Sequence, residues 1–189
     1  MKDISCYSIM SALFSYPDIA FWEDLDVLKK FVSNDFPDAY RHLVKFEDEM
    51  RNFSIHQLEE NYINTFLLNT VSGLDIGFVL FGDDYKRNEF LVNMQGEQQK
   101  ANNDCGTELA DHLPNVLNLI PKFENSELCE EFTHGLLIPA IKEICRKFGE
   151  GNNYYIHIFS LLRDYLERDF GKSNFEQFVI KTKKVECHG

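Results

Sequence analysis

Glu108, Asp111 and His112 put two carboxylates and an imidazole within five residues, in the run Glu108-Leu109-Ala110-Asp111-His112-Leu113-Pro114. Carboxylates accept hydrogen bonds and meet cations, and an imidazole changes charge near neutral pH. Pro114 has two readings. It opens a helix, where its missing N–H is not needed, or it kinks a helix begun near Thr107. In both, the three polar side chains stand where regular helix starts or is interrupted and backbone N–H groups are free for a ligand. Acids ahead of a proline and an apolar run also mark an ordinary helix start, because negative charge favours that end of the helix dipole.

The chemistry these residues could do divides into catalysis and binding. The sequence has no G-x-S-x-G, no Walker loop, no G-x-G-x-x-G and no H-E-x-x-H. Glu108, Asp111 and His112, joined by His134 or His157, could assemble a metal site within a helical bundle. Such sites normally carry Glu-x-x-His on two helices, and the chain lacks that pair. Binding accounts for more of the composition. With 31 acidic against 19 basic residues the formal net charge is −12, a balance that repels phosphate backbones and attracts cationic peptides. The same charge also serves plain solubility. The 17 Phe and 8 Tyr imply a ring-packed core and ring-lined grooves.

Length, thiols and hydropathy bound the rest. At 189 residues the chain suits one domain with a real core. Its five cysteines are widely spaced with no C-x-x-C, as expected of reduced, mostly buried thiols in a cytoplasmic protein. The N-terminus lacks a secretory pattern, and no apolar run approaches a membrane span of about 20 residues.

The elements that must position the polar run read as helices nearly throughout, so the expected fold is all-α: a single-domain bundle of about 8–10 helices. Ile4, Tyr7, Met10, Leu13 and Phe14 mark a helix ending before Tyr16-Pro17. Trp22, Leu25, Leu28 and Val32 mark a second, broken at Phe36-Pro37, and Tyr40, Leu43, Val44 and Met50 a third. Ser54-Ile55-His56-Gln57 is a capping box opening a fourth, whose stripe of Leu58, Tyr62 and Phe66 reads as core. Turn residues 69–73 lead into 74–82, read as a long loop or a short irregular helix. Asp83 or Asp84 then caps a helix through Tyr85, Phe90, Leu91 and Met94. The polar residues 96–106 read as a flexible connection between helical halves, across which helices could be exchanged in a homodimer. Beyond Pro114, a short helix closes at Pro121. A long one from Ser126 to Phe148 is expected to kink near Gly135 and Pro139, and Tyr155 to Phe170 forms a last strong helix stopped by Gly171. A second capping box at Ser173-Asn174-Phe175-Glu176 begins a docked short helix, ahead of a frayed tail over 181–189 with the small basic cluster Lys181, Lys183 and Lys184.

Several of these segments resemble, in order and spacing, the NarJ branch of the NarJ/TorD/DmsD superfamily of molybdoenzyme-assembly chaperones, over roughly residues 10–125. Leu13-Phe14-Ser15-Tyr16-Pro17-Asp18 is similar to the opening Leu-Leu-x-Tyr-Pro-Asp. Glu60 to Phe66 resembles a Tyr-x-x-(x)-Phe pattern. Asp83, Asp84 and Arg87 match an acidic-x-x-Arg-Gly signature in which Asn88 replaces the Gly. The run from Glu108 to Pro114 resembles Glu-Leu-Pro-Asp-His/Tyr-Leu-Pro, with Ala110 in place of the first Pro.

The resemblance implies a cytoplasmic chaperone of TorD/NarJ-like fold, dedicated to the catalytic subunit of a molybdopterin-containing oxidoreductase, most like respiratory nitrate reductase. It would hold the apo-subunit's N-terminal segment, in many relatives a twin-arginine signal peptide, while cofactors are inserted. It would carry no cofactor or metal itself, catalyse nothing, and work as a monomer or homodimer without nucleic acid or an integral membrane segment. The expected binding residues are Glu108, Asp111, His112, Leu113, Pro114, Tyr62, Phe66, Asp84 and Arg87. The groove would lie between the helices around Tyr62 and Phe66 and the segment 113–120, with Glu108 and Asp111 meeting basic residues of the peptide. An Asp111–His112 pair sealed in the interior would contradict that role. The alternatives are a helical adaptor or regulator for another basic peptide, and the metal site using Glu108, Asp111 and His112.

Overall fold

Helix boundaries follow the local chemistry closely in the computed structural model, which describes residues 4–68, 73–149 and 153–173. The first turn, α1 (Cys6–Ser11), continues as a tight helical turn to Phe14. α2 (Phe21–Asp35) ends where Phe36, ahead of Pro37, leaves the helical region with φ of −143° and ψ of 73°, and α3 (Tyr40–Met50) follows. At α4 (Ile55–Tyr62) the capping box forms: Gln57 N–H donates to the Ser54 hydroxyl and Ser54 N–H donates back to the Gln57 side chain at 2.9 Å. α5 (Ile76–Phe81) is the short helix, and α6 (Lys86–Lys100), α7 (Leu113–Leu119), α8 (Ser126–Phe132), α9 (Ile138–Phe148) and α10 (Tyr155–Phe170) complete the order. The fold is all-α. Among the described residues there is no strand, only an isolated antiparallel bridge between Asp75 and His112.

α8 and α9 form one rod with a wide π-helical turn over Thr133–Leu137 between them. The expected irregularity near Gly135 and Pro139 is therefore present as an inserted turn, in which the Ile138 N–H reaches back five residues to donate to Thr133 O. α10 packs against α3 and α9, α1 against α7, and α5 against α6 and α9. Rings fill the centre. Phe66 stands 4.6 Å from Tyr155, and Phe14 4.8 Å from Phe159, edge and tilted contacts that add to plain burial. Leu25, Leu28, Val32, Leu43, Met50, Leu58, Tyr62 and Phe66 are buried as their spacing predicts, whereas Val44 is exposed. Cys6, Cys129 and Cys145 are buried too, and burial pushes the Cys129 and Cys145 thiols up to about 11. No helix among the described residues is long and apolar enough to cross a membrane. Of the expected second capping box only Ser173 is described; the rest of it and the basic tail lie outside the described residues.

The segment 96–106 differs from expectation. Gly96 to Lys100 are helical and complete α6, and Asn102, with φ of 47°, turns the chain out of the helix in the left-handed conformation that Asn tolerates. Buried amides pin the loop beyond it. Asn103 donates to the Gln98 side chain and to Asn115 O, Gln98 donates to Ala110 O, and Asn115 donates to Leu109 O at 3.0 Å and to Cys105 O at 3.3 Å. Polar composition reads as flexible when its side chains face water. Here they turn inward and satisfy the loop's own carbonyls, so the loop is a scaffold.

Candidate functional site

The polar run is organised by the bridge between Asp75 and His112. Ile76 N–H donates to Asp111 O at 3.1 Å and Leu113 N–H to Leu74 O at 2.9 Å, tying the start of α5 to the start of α7. Pro114 sits in the first turn of α7, so its helix-opening reading is the one realised. Asp111 and His112 then point to opposite sides, as neighbours in extended backbone do.

Asp111 is fully buried and its Oδ2 accepts the Gly77 N–H at 2.8 Å. Its Oδ1 has no hydrogen-bond partner among the described residues. Burial raises the carboxyl above the ordinary aspartate range, opposed by the Gly77 hydrogen bond, with nearby Asp75 raising it further and Arg87 lowering it. Asp111 therefore fastens α5 to the turn and does not reach a ligand, which corrects its expected place in the binding surface. Leu113 and Pro114 are likewise buried, in the α7 face packed on α1. The segment 113–120 is core, not a groove wall. Asp84 accepts the Lys86 N–H at 3.0 Å and so fixes the start of α6.

His112 lies on the open side. Its Nδ1 is 3.0 Å from Asp75 Oδ1, and Arg87 Nη2 donates to the other oxygen of Asp75 at 3.3 Å. The Arg87 guanidinium also lies 5.2 Å above the Phe78 ring. Asp75 thus holds an imidazole on one side and a guanidinium on the other. Arg87, one of the expected binding residues, pairs with Asp75 and helps to build the wall of a cavity.

That cavity, about 270 Å³, is where the remaining expected residues meet. Tyr62, Phe66, Arg87, Glu108 and His112 all line it, with Asp75 and Phe78 among the residues completing the wall. Tyr62 is anchored from below: its hydroxyl donates to Phe14 O at 3.1 Å, and its ring meets Phe66 at 5.0 Å and the half-exposed Tyr16 at 5.5 Å. Burial, and secondarily the Glu108 charge, push the Tyr62 hydroxyl up to about 12. Glu108 is exposed and has no ion-pair or hydrogen-bond partner for its carboxylate among the described residues. The site therefore offers an aromatic floor, a rim held by Asp75, and one uncommitted carboxylate. Chemically that combination takes an apolar side chain next to a cation.

Asp75 and Phe78 escape sequence reasoning because 74–82 reads equally as loop or short helix. The one available signal is the acid at the head of an apolar hexamer, which marks a helix start. Asp111 is buried away from the cavity that Glu108 and His112 line, and no group of three His, Cys, Asp or Glu among the described residues is placed to hold a metal ion. No protein-family model matches this chain, and no curated protein matches it.

Proposed function

We propose that this protein is a cytoplasmic chaperone that binds the apo catalytic subunit of a molybdopterin oxidoreductase, nitrate-reductase-like, through a peptide that is basic and apolar by turns. The observation that carries this reading is a convergence: Tyr62, Phe66, Arg87, Glu108 and His112 come from three separated stretches of sequence and line one cavity. Those stretches bear the resemblance to the NarJ branch. An apolar residue of the peptide packs on Tyr62 and Phe66. An adjacent Arg or Lys meets Glu108, whose carboxylate has no ion-pair partner to displace among the described residues. The surplus of negative charge on the chain steers such a peptide toward it.

Co-expression with the catalytic subunit of a nitrate-reductase-like molybdoenzyme tests the assignment. The expected result is a stable complex with the subunit before cofactor insertion, lost with Glu108→Gln. A chain that ignores the subunit but retains some other basic partner through the same residues is a general adaptor.

A further inference from the structure

Glu108 lines a second cavity as well as the first. This one, about 520 Å³, runs between the face of α6 that carries Leu91, Gln95 and Gln99 and the loop that carries Cys105, Glu108 and Leu109. Leu91, Gln95 and Gln99 are spaced by four and share one helix face. The Gln95 and Gln99 side-chain amides have no hydrogen-bond partner among the described residues, while the opposite wall is held rigid by Asn103 and Asn115.

We propose that this second cavity takes the continuation of the same peptide in extended form, with Gln95 and Gln99 hydrogen-bonding its main chain. The proposal rests on the peptide-binding reading above and adds where the chain goes after its basic residue. Three observations carry it. The two cavities have Glu108 in common in their walls, so a residue that pairs with Glu108 stands beside both. Gln95 and Gln99 are about 6 Å apart along the helix axis, and main-chain groups on one edge of an extended strand recur every two residues, about 6.6 Å. A carboxamide offers both a donor and an acceptor, the pair needed to bond a peptide group whatever its side chain. From Leu91 to Gln99 is about 12 Å, room for about four extended residues. The second cavity therefore contributes affinity without sequence preference, and the choice of partner is made at Glu108 and the Tyr62 pocket.

The test uses a synthetic peptide copied from the N-terminal 20 residues of the catalytic subunit, with two further copies in which alternate main-chain amides are N-methylated across the four residues before or after its first arginine. Isothermal titration against the full chain is expected to show one methylated copy binding about tenfold more weakly, the size of two neutral hydrogen bonds. Gln95→Ala/Gln99→Ala, on an exposed helix face that alanine favours, should lose about tenfold for the unmodified peptide and no longer distinguish the copies. Equal binding of all three copies by the wild type, or wild-type affinity in the double variant, overturns the extended-chain proposal and leaves the Glu108 site standing. Absence of binding by the unmodified peptide to the wild type removes both.

Discussion

Gly77 donates its backbone N–H to Asp111 Oδ2 at 2.8 Å, and a Cβ placed on Gly77 would stand 2.7 Å from that same oxygen and 2.8 Å from the Phe90 ring. Only a residue without a side chain lets α5 approach the turn this closely. Gly77→Ala is expected to cost about 1–3 kcal/mol by forcing the carboxylate and ring apart. Urea unfolding measures it, and a variant as stable as the wild type would show the contact to be loose.

Asp111 predicts a dependence on pH with a definite sign. Its carboxyl is raised in the folded protein, chiefly by burial, so the folded state binds the proton more tightly than the unfolded chain. The stabilisation is complete below the ordinary aspartate range and is lost as pH rises through the higher folded value. Relative to Asp111→Asn, which cannot titrate, the wild type should lose stability as pH is raised from about 4. Parallel denaturant curves from acid to neutral pH give the difference directly, and one that stays flat or grows with pH contradicts this sign.

Asn115 separates scaffold from contact. It is buried, lines neither cavity itself, and donates to the carbonyls of Cys105 and Leu109 on either side of Glu108. Asn115→Ala leaves both carbonyls without that donor and is expected to cost about 1–3 kcal/mol. Peptide affinity should fall as well, because Glu108 is no longer held at the junction. Lost stability with unchanged affinity would show that Glu108 needs no support from this loop.

Periodicity makes the bundle legible because helix faces bury themselves at a fixed spacing: Leu25, Leu28 and Val32, and Leu58, Tyr62 and Phe66, all lie in the core. The site is legible as a set of residues but not as an arrangement. Asp111 and His112 are adjacent in sequence, and only the bridge to Asp75 sends one side chain inward and the other to the groove. Nothing local announces that bridge, since its other half lies 37 positions away. The loop after α6 misleads for a related reason. Gln98, Asn103 and Asn115 have ordinary polar composition, and their inward direction is set by carbonyls that only the folded loop presents.

The cavity of Tyr62, Phe66, Glu108 and His112 is proposed to grip a peptide by one apolar side chain and one cation. Titrating the labelled N-terminal peptide of the catalytic subunit into wild type and Glu108→Gln, at low and high salt, measures this most directly. Saturable binding by the wild type that weakens with salt, and a variant that binds at least about tenfold more weakly with much less salt dependence, are the results predicted. No binding at micromolar concentration, or equal affinity and equal salt dependence in the two proteins, would contradict it.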